Sequence, residues 1–365
     1  DHRDLHSFPT RRSSDLMNPG FWKNKKILLT GHTGFKGSWL SLWLQQLGAD
    51  LVGVSLPPEG TQHLFGAAQV ADHMTSIFAD IRDAARMKEI MAQHKPQIVL
   101  HLAAQALVRR SYHEPVYTYE TNVMGTLNIL EAIRAVPSVQ AAVMVTTDKC
   151  YENRERAAPY REDEALGGYD PYSSSKACAE LVTAAYRNSF FQAGARIATA
   201  RAGNVIGGGD WSQDRLIPDI IAAFESNNKL VLRNPKATRP WQHVLESLSG
   251  YLNLAEKLYA AEKDYTGAWN FGPDISDVKP VEWIVDCISS IWGKQLEIEI
   301  IPDVLHEAGL LALDSRKAQQ GLNWHPVWRL EQALAAIVDW AKAKDAVRDR
   351  TLRQIADYQA TLLAK

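Results

Sequence analysis

Two short stretches carry the chemical character of this chain: Thr147-Asp148-Lys149, and the pair Tyr172 and Lys176. Tyr172 and Lys176 stand one helical turn apart and share a face, just after the turn residues Tyr169-Asp170-Pro171. A phenol with a pKa near 10 is a poor base at neutral pH. Lowering it by about three units takes ~4 kcal/mol of differential stabilisation, which a neighbouring ammonium and a cationic nicotinamide can supply. Tyr172 could then take a proton from a substrate hydroxyl while hydride leaves the same carbon. Thr147, Asp148 and Lys149 offer a donor, an acid and an amine to one sugar; an arbitrary Asp-Lys is more often a solvated surface pair.

These groups need a scaffold, and the chain announces one at GHTGFKG, Gly31 to Gly37, between the apolar run Lys26 to Thr30 and the helix-length segment from Ser38. Strand, glycine turn and helix form a dinucleotide site in outline: the turn needs φ > 0, and bare backbone lets a pyrophosphate approach the helix N-terminus. Gly31, Thr33, Gly34, Phe35, Lys36 and Gly37 are the expected contacts. The usual Asp or Glu at the end of the second strand is missing, since that strand runs Val54-Ser55-Leu56-Pro57-Pro58. Ser55 could hydrogen-bond a ribose hydroxyl, and no Arg stands there for a 2′-phosphate, which favours NAD over NADP. Asp80-Ile81 could contact adenine, although an aspartate there is as often a helix cap.

Apolar runs at Ile27–Thr30, Leu51–Leu56, Thr75–Asp80, Ile98–Leu102 and Ala142–Thr146, separated mostly by helix-length segments, imply βαβ units and a parallel sheet. A sixth strand at Arg196–Ala202 runs into the loop Gly203 to Asp210. The expected fold is α/β: a Rossmann-type doubly wound sheet over 17–202, then a smaller mixed α/β substrate domain over 203–365, some of whose segments return to the first. Helices are expected near Ile217–Glu225, Val281–Ile291 and Leu330–Ala343. Gly31, Ala103, Thr147 and Gly203 should gather at the carboxyl ends of the strands, where ligands bind in such folds.

Composition narrows the partners. With 365 residues, 46% of them hydrophobic, and a formal net charge of -2, the chain can bury a large core and shows no basic footprint for nucleic acid or an anionic membrane. Cys150, Cys178 and Cys287 are far apart and form no CxxC pair, so neither a disulfide framework nor a metal site is indicated, and a reducing cytoplasm fits. Residues 1–16 contain no apolar core of a signal and read as a non-native leader before Met17. Trp39 and Trp43, among eleven tryptophans, recur at helical spacing and read as core.

Taken in order, TGHTGFKG, His101-Leu102-Ala103-Ala104-Gln105, Thr121-Asn122-Val123-Met124-Gly125-Thr126, TTDK, YDPYSSSK and RAGNVIGGGDW resemble the extended short-chain dehydrogenase/reductase superfamily over essentially all of 17–365. Within it, GHTGFKGSWL with TTDK, GGGDW and RLIPD is similar to the CDP-glucose 4,6-dehydratases. The resemblance implies NAD that is reduced and reoxidised in one turnover, with Ala103, Ala104, Gln105 and Asn122 joining the cofactor contacts. It implies that Tyr172 removes the sugar 4-hydroxyl proton, Thr147 bonds that oxygen, and Lys176 holds the ribose. Water then leaves across C5 and C6, Asp148 acting as acid toward the 6-hydroxyl and Lys149 standing at the position of the C5 base. Related dTDP-sugar enzymes carry Glu there; a lysine base must lose its proton through burial or neighbouring charge, and Lys149 could instead stabilise the enolate. Asn204, Arg215 and Arg239 match positions that meet the sugar nucleotide, CDP-glucose, with Arg239 on the diphosphate. A homodimer through Val116–Ala135 and Tyr172–Phe191 is implied, a tetramer is left open, and the product would feed dideoxysugar synthesis for lipopolysaccharide O-antigen. The alternatives are a sugar-nucleotide 4-epimerase, a dehydratase for another nucleotide, or an NAD-sensing protein with this fold.

Overall fold

The computed structural model describes residues 18–261, 263–301, 310–343 and 345–364. The expected leader, residues 1–16, lies outside the described residues. Seven parallel strands form one sheet: β1 (Lys26–Thr30), β2 (Asp50–Ser55), β3 (Thr75–Phe78), β4 (Ile98–His101), β5 (Ala141–Val145), β6 (Arg196–Arg201) and β7 (Gly267–Asn270), in the order β7-β6-β5-β4-β1-β2-β3. This is the expected doubly wound sheet. The order reverses between β1 and β4, which opens a crevice at their carboxyl ends.

The strands are near-continuous apolar runs because both faces are covered: β4 and β5 are buried at every residue. One core holds Trp22, Trp39, Trp43, Tyr251, Phe271 and Tyr358 against one face; the other is built from Leu28, Ile90, Met91, Ile129, Leu130 and Ile133. Trp39 and Trp43 are fully buried, as their spacing suggests, and the Trp39 indole donates to the Gly208 carbonyl at 2.9 Å.

Helix ends follow local chemistry. Asp83 caps the Ala84–His94 helix by accepting from the Arg86 amide, and Lys95 in a left-handed turn ends it before Pro96. Asp170 caps the Pro171–Phe190 helix, one oxygen accepting from the Ser173 amide at 2.9 Å and the other from its hydroxyl at 2.6 Å. That cap fixes the first turn, which carries Tyr172.

Beyond Gly203 the chain shares itself between two places. The Val244–Ala260 helix is buried along nearly all its length between the sheet and the Phe35–Gln46 helix, and β7 adds to the edge of β6. The Leu216–Ser226, Val281–Trp292 and Leu330–Lys342 helices form a separate core with Ile220, Phe224, Ile284, Ile288, Leu334 and Ile337. The loop expected after β6 contains a two-residue strand, Val205–Ile206, paired in parallel with Gln242–His243, which ties the end of β6 to this smaller core.

Candidate active site

The crevice at the carboxyl ends of the strands is a cavity of about 1840 Å³ lined by both halves of the molecule. That exceeds the roughly 300–1,000 Å³ of a small-ligand pocket and suits two nucleotides end to end.

At its floor β1 turns at Gly31, whose φ is +82°; a Cβ there would lie 2.8 Å from the Ala103 amide nitrogen, and one on Gly37 would lie 1.9 Å from the Gly31 carbonyl oxygen. The Phe35–Gln46 helix therefore starts hard against the turn. Its N-cap, Gly34, supplies no side-chain bond and its first turn holds no acid, leaving amides directed at the cavity for an anionic group. The residues present thus fit a dinucleotide diphosphate. At the end of β2 the hydroxyls of Thr33 and Ser55 lie 2.7 Å apart, and both residues line the cavity. Asp80 and Ile81 follow β3 on the same wall; Asp80 is no helix cap but accepts from the Arg82 amide and guanidinium, which hold its carboxyl below its ordinary pKa despite partial burial.

After β4, Ala103, Ala104 and Gln105 line the cavity. Asn122 is set back from it: its side chain accepts from the Gln105 amide at 2.8 Å and donates to the Gln105 carbonyl at 2.9 Å and the Ser175 hydroxyl at 2.8 Å. It sits in a π-helical turn, Glu120–Met124, and clamps the loop that forms the wall.

The end of β5 brings Thr147, Asp148 and Lys149 to the cavity wall. Thr147 is the N-cap of a short 3-10 turn, Asp148–Cys150, and its hydroxyl donates to Oδ1 of Asp148 at 3.0 Å. Asp148 is 1% exposed, and its Oδ2 has no hydrogen-bond partner. Lys149 Nζ lies 4.0 Å from Asp148 Oδ1, and its side chain is 28% exposed. Tyr172 and Lys176 are buried side by side on the Pro171–Phe190 helix, and all five residues line the cavity.

The sequence suggests a phenol made acidic by Lys176 together with a cationic nicotinamide; in the protein alone, burial pushes the Tyr172 pKa up to about 12, with the Thr147 hydroxyl easing and the Asp148 carboxylate reinforcing that rise. The Lys176 amine is itself lowered to about 8 by burial, with Glu180 and Cys150 pulling it back up, and it donates to the Val145 carbonyl at 3.1 Å. Opposite stand Asn204, in a left-handed conformation with φ of 44°, Arg215, paired with Asp210 at 2.9 Å, and Arg239, donating to the Thr238 carbonyl at 2.9 Å. All three line the cavity.

Lys36, an expected cofactor contact, has its amine lowered to about 7 by burial and by the Arg215 and Lys176 charges, and it donates to the Tyr251 hydroxyl at 3.1 Å. Two other wall residues were not legible in the sequence. Arg109 and Arg233 meet Asp214, at 3.7 Å and 2.6 Å, and join the two sides of the cavity mouth. Nothing in their spacing signals it.

Residues 28–337 match the GDP-mannose 4,6 dehydratase family. The chain belongs to that family. Among its relatives is the CDP-glucose 4,6-dehydratase of Salmonella typhimurium, 49% identical over 358 residues, which cover 94% of this chain and 99% of that one. A dTDP-glucose 4,6-dehydratase of Xanthomonas campestris pv. campestris is 28% identical over 86% of this chain and 92% of its own length. The fold agrees with that of solved structures: a UDP-glucose 4-epimerase from Brucella ovis in complex with NAD superposes with a TM-score of 0.75 at 23% identity, covering 86% of this chain and 97% of that one. The resemblance read from the motifs thus holds at family level, and among these relatives identity is greatest toward the CDP-glucose branch.

Proposed function

We propose that this protein is a CDP-glucose 4,6-dehydratase, an NAD-dependent hydro-lyase that forms CDP-4-dehydro-6-deoxy-D-glucose. The observation that carries the reading is Asp148, a buried carboxylate with a free oxygen beside Thr147, Tyr172 and Lys149 on one cavity wall. An epimerase needs Tyr172 and Lys176 but no acid and amine beside Thr147; here Asp148 and Lys149 face the cavity. The 49% identity to the Salmonella enzyme supports the nucleotide.

NAD, when bound, supplies a two-electron acceptor that takes hydride from sugar C4 and returns it at C6. The glycine turn and the uncapped helix of Gly34 would hold its diphosphate, Ser55 and Thr33 would meet the adenosine ribose, and Asp80 and Ile81 the adenine, since all of them line the cavity. Lys176 would hold the nicotinamide ribose. Tyr172 takes the proton of the 4-hydroxyl as the C4–H bond breaks, and Thr147 donates to the same oxygen. The resulting 4-keto group acidifies C5–H. Lys149 acts at C5, as base or as the cation that stabilises the enolate, while Asp148 delivers a proton to the departing 6-hydroxyl. Hydride at C6 and a solvent-derived proton at C5 complete the product. Asn204 and Arg215 meet the sugar nucleotide and Arg239 its diphosphate, for which a guanidinium fork is well matched.

The minimum unit is a homodimer in the cytoplasm. Val116, Met124, Leu181 and Phe190 are 70%, 48%, 59% and 50% exposed on the segments implied to pair, and among the described residues no helix is long and apolar enough to cross a membrane. Incubating the NAD-loaded protein with CDP-, dTDP-, UDP- and GDP-glucose tests the reading. Dehydration of CDP-glucose alone supports it, and turnover of another nucleotide in its place overturns the substrate.

A further inference from the structure

Behind the reacting residues lies a buried charge cluster that the proposed chemistry does not use. Glu180 stands one helical turn beyond Lys176 on the Pro171–Phe190 helix and is 4% exposed. Its Oε2 accepts from the Thr199 hydroxyl at 2.6 Å and from Arg201 Nη2 at 2.8 Å, and its Oε1 accepts from the hydroxyl of Thr146, the residue before Thr147. Arg201, also buried, donates through Nη1 to the Tyr151 hydroxyl at 2.7 Å, and that hydroxyl donates to Asn270 Oδ1 at 2.8 Å. The cluster thus joins β5, β6, β7 and the helix of Tyr172 directly beneath Lys176.

A buried ion pair is not an efficient way to gain stability, since desolvation of both charges offsets much of their attraction. Its placement here suits another task. We propose that Glu180 is a positioning residue, whose carboxylate anchors the end of β5 that carries Thr147 and supplies the negative charge balancing the Lys176 ammonium. The proposal rests on the reading of Lys176 as the residue that holds the cofactor ribose.

The surroundings leave few competing sources for that charge. Groups interacting electrostatically with Lys176 are Glu180 from its own helix, the Cys150 thiol from the turn after β5, His101 from β4 and Lys36 from the glycine loop. Burial keeps His101 neutral, lowering it to about 3, and holds the Cys150 thiol protonated by raising it well above its ordinary value. Lys36 adds repulsion. Arg201 lowers the Glu180 carboxyl against the opposing effect of burial, so Glu180 stays charged across the working pH range. Among these groups Glu180 is the one that carries a full negative charge.

The test is NAD affinity as a function of pH for wild type, Glu180→Gln, Glu180→Asp and the double variant Glu180→Gln/Arg201→Met, with thermal melts beside it. Wild-type affinity should fall with a midpoint near the Lys176 value of about 8. Glu180→Gln should move that midpoint down by about one pH unit, Glu180→Asp should restore most of it, and the double variant, which also removes the Arg201 charge, should shift it less. Glu180→Gln leaves Arg201 buried and unpaired, so its melting temperature should drop; the double variant removes that stranded charge and recovers the fold. A wild-type midpoint in folded Glu180→Gln protein overturns the proposal. The measurement needs no turnover, so a wild-type protein that binds NAD but leaves CDP-glucose intact refutes the substrate reading without touching this one.

Discussion

Asp148 and Gly203 compete for the same space: a Cβ on Gly203 would stand 1.7 Å from Oδ2 of Asp148 and 2.1 Å from its Cγ. The glycine that follows β6 is what admits a carboxylate to the end of β5, with one oxygen on Thr147 and the other unengaged. Gly203→Ala should therefore behave like a loss of Asp148. Dehydration should fall by about 10²–10⁴-fold, the usual contribution of a positioned acid, while NAD affinity stays within about twofold. Dehydration near wild type in a folded Gly203→Ala protein would show that Asp148 needs no such space.

Asp148→Asn separates the two halves of the reaction. Oxidation at C4 depends on Tyr172 and Thr147, so this variant should still reduce NAD on mixing with CDP-glucose and then stall, seen as persistent NADH absorbance without 6-deoxy product. Equal loss of both steps would assign Asp148 to binding instead.

Tyr172→Phe should bind NAD and CDP-glucose and lose the first step by about 10²–10⁴-fold. Because burial pushes the unliganded phenol up to about 12, its titration in wild type should move down by several units when oxidised NAD binds, and not when the reduced cofactor binds. Tyrosinate difference spectra of wild type against Tyr172→Phe read this, and identical titrations with the two cofactor forms would contradict it.

Much of this site could be read from the chain because its parts lie in short contiguous runs at strand ends. Gly31 to Gly37, Thr147 to Lys149 and Tyr172 with Lys176 each declare a local geometry, and a parallel sheet brings the ends of its strands together. What could not be read is long-range or buried on all sides. Glu180 and Arg201 meet only because the helix after β5 packs on β6. The Val244–Ala260 helix is covered nearly all round by segments distant in sequence, and β7 is four residues with one large apolar side chain.

Stability should fall steeply in mild acid. Burial lowers His32 to about 4 and His101 and His243 to about 3, from an ordinary 6.5. The unfolded chain therefore binds more protons below 6.5, and the stability these groups contribute, complete above that pH, is lost as pH drops toward their folded values. Each adds about 1.4 kcal/mol per pH unit to the slope in that window. Urea unfolding of His243→Asn between pH 6 and 4.5 should show a slope shallower by about that amount, and an unchanged slope would mean His243 is charged in the fold.

Leu181→Glu places a charge in the centre of the exposed apolar face of the Pro171–Phe190 helix. Light scattering should give a dimer for wild type and a monomer for the variant at micromolar concentration. A monomeric wild type would remove the interface.

The proposed reaction runs oxidation, elimination and return of hydride on a single CDP-glucose molecule at this site. Turnover of CDP-glucose by the NAD-loaded protein in deuterated water, read by mass spectrometry and NMR, tests it most directly. Loss of water with one deuterium at C5 and no net NADH is the expected result. Recovery of a C4 epimer with all its oxygens, or dehydration without deuterium at C5, would contradict it.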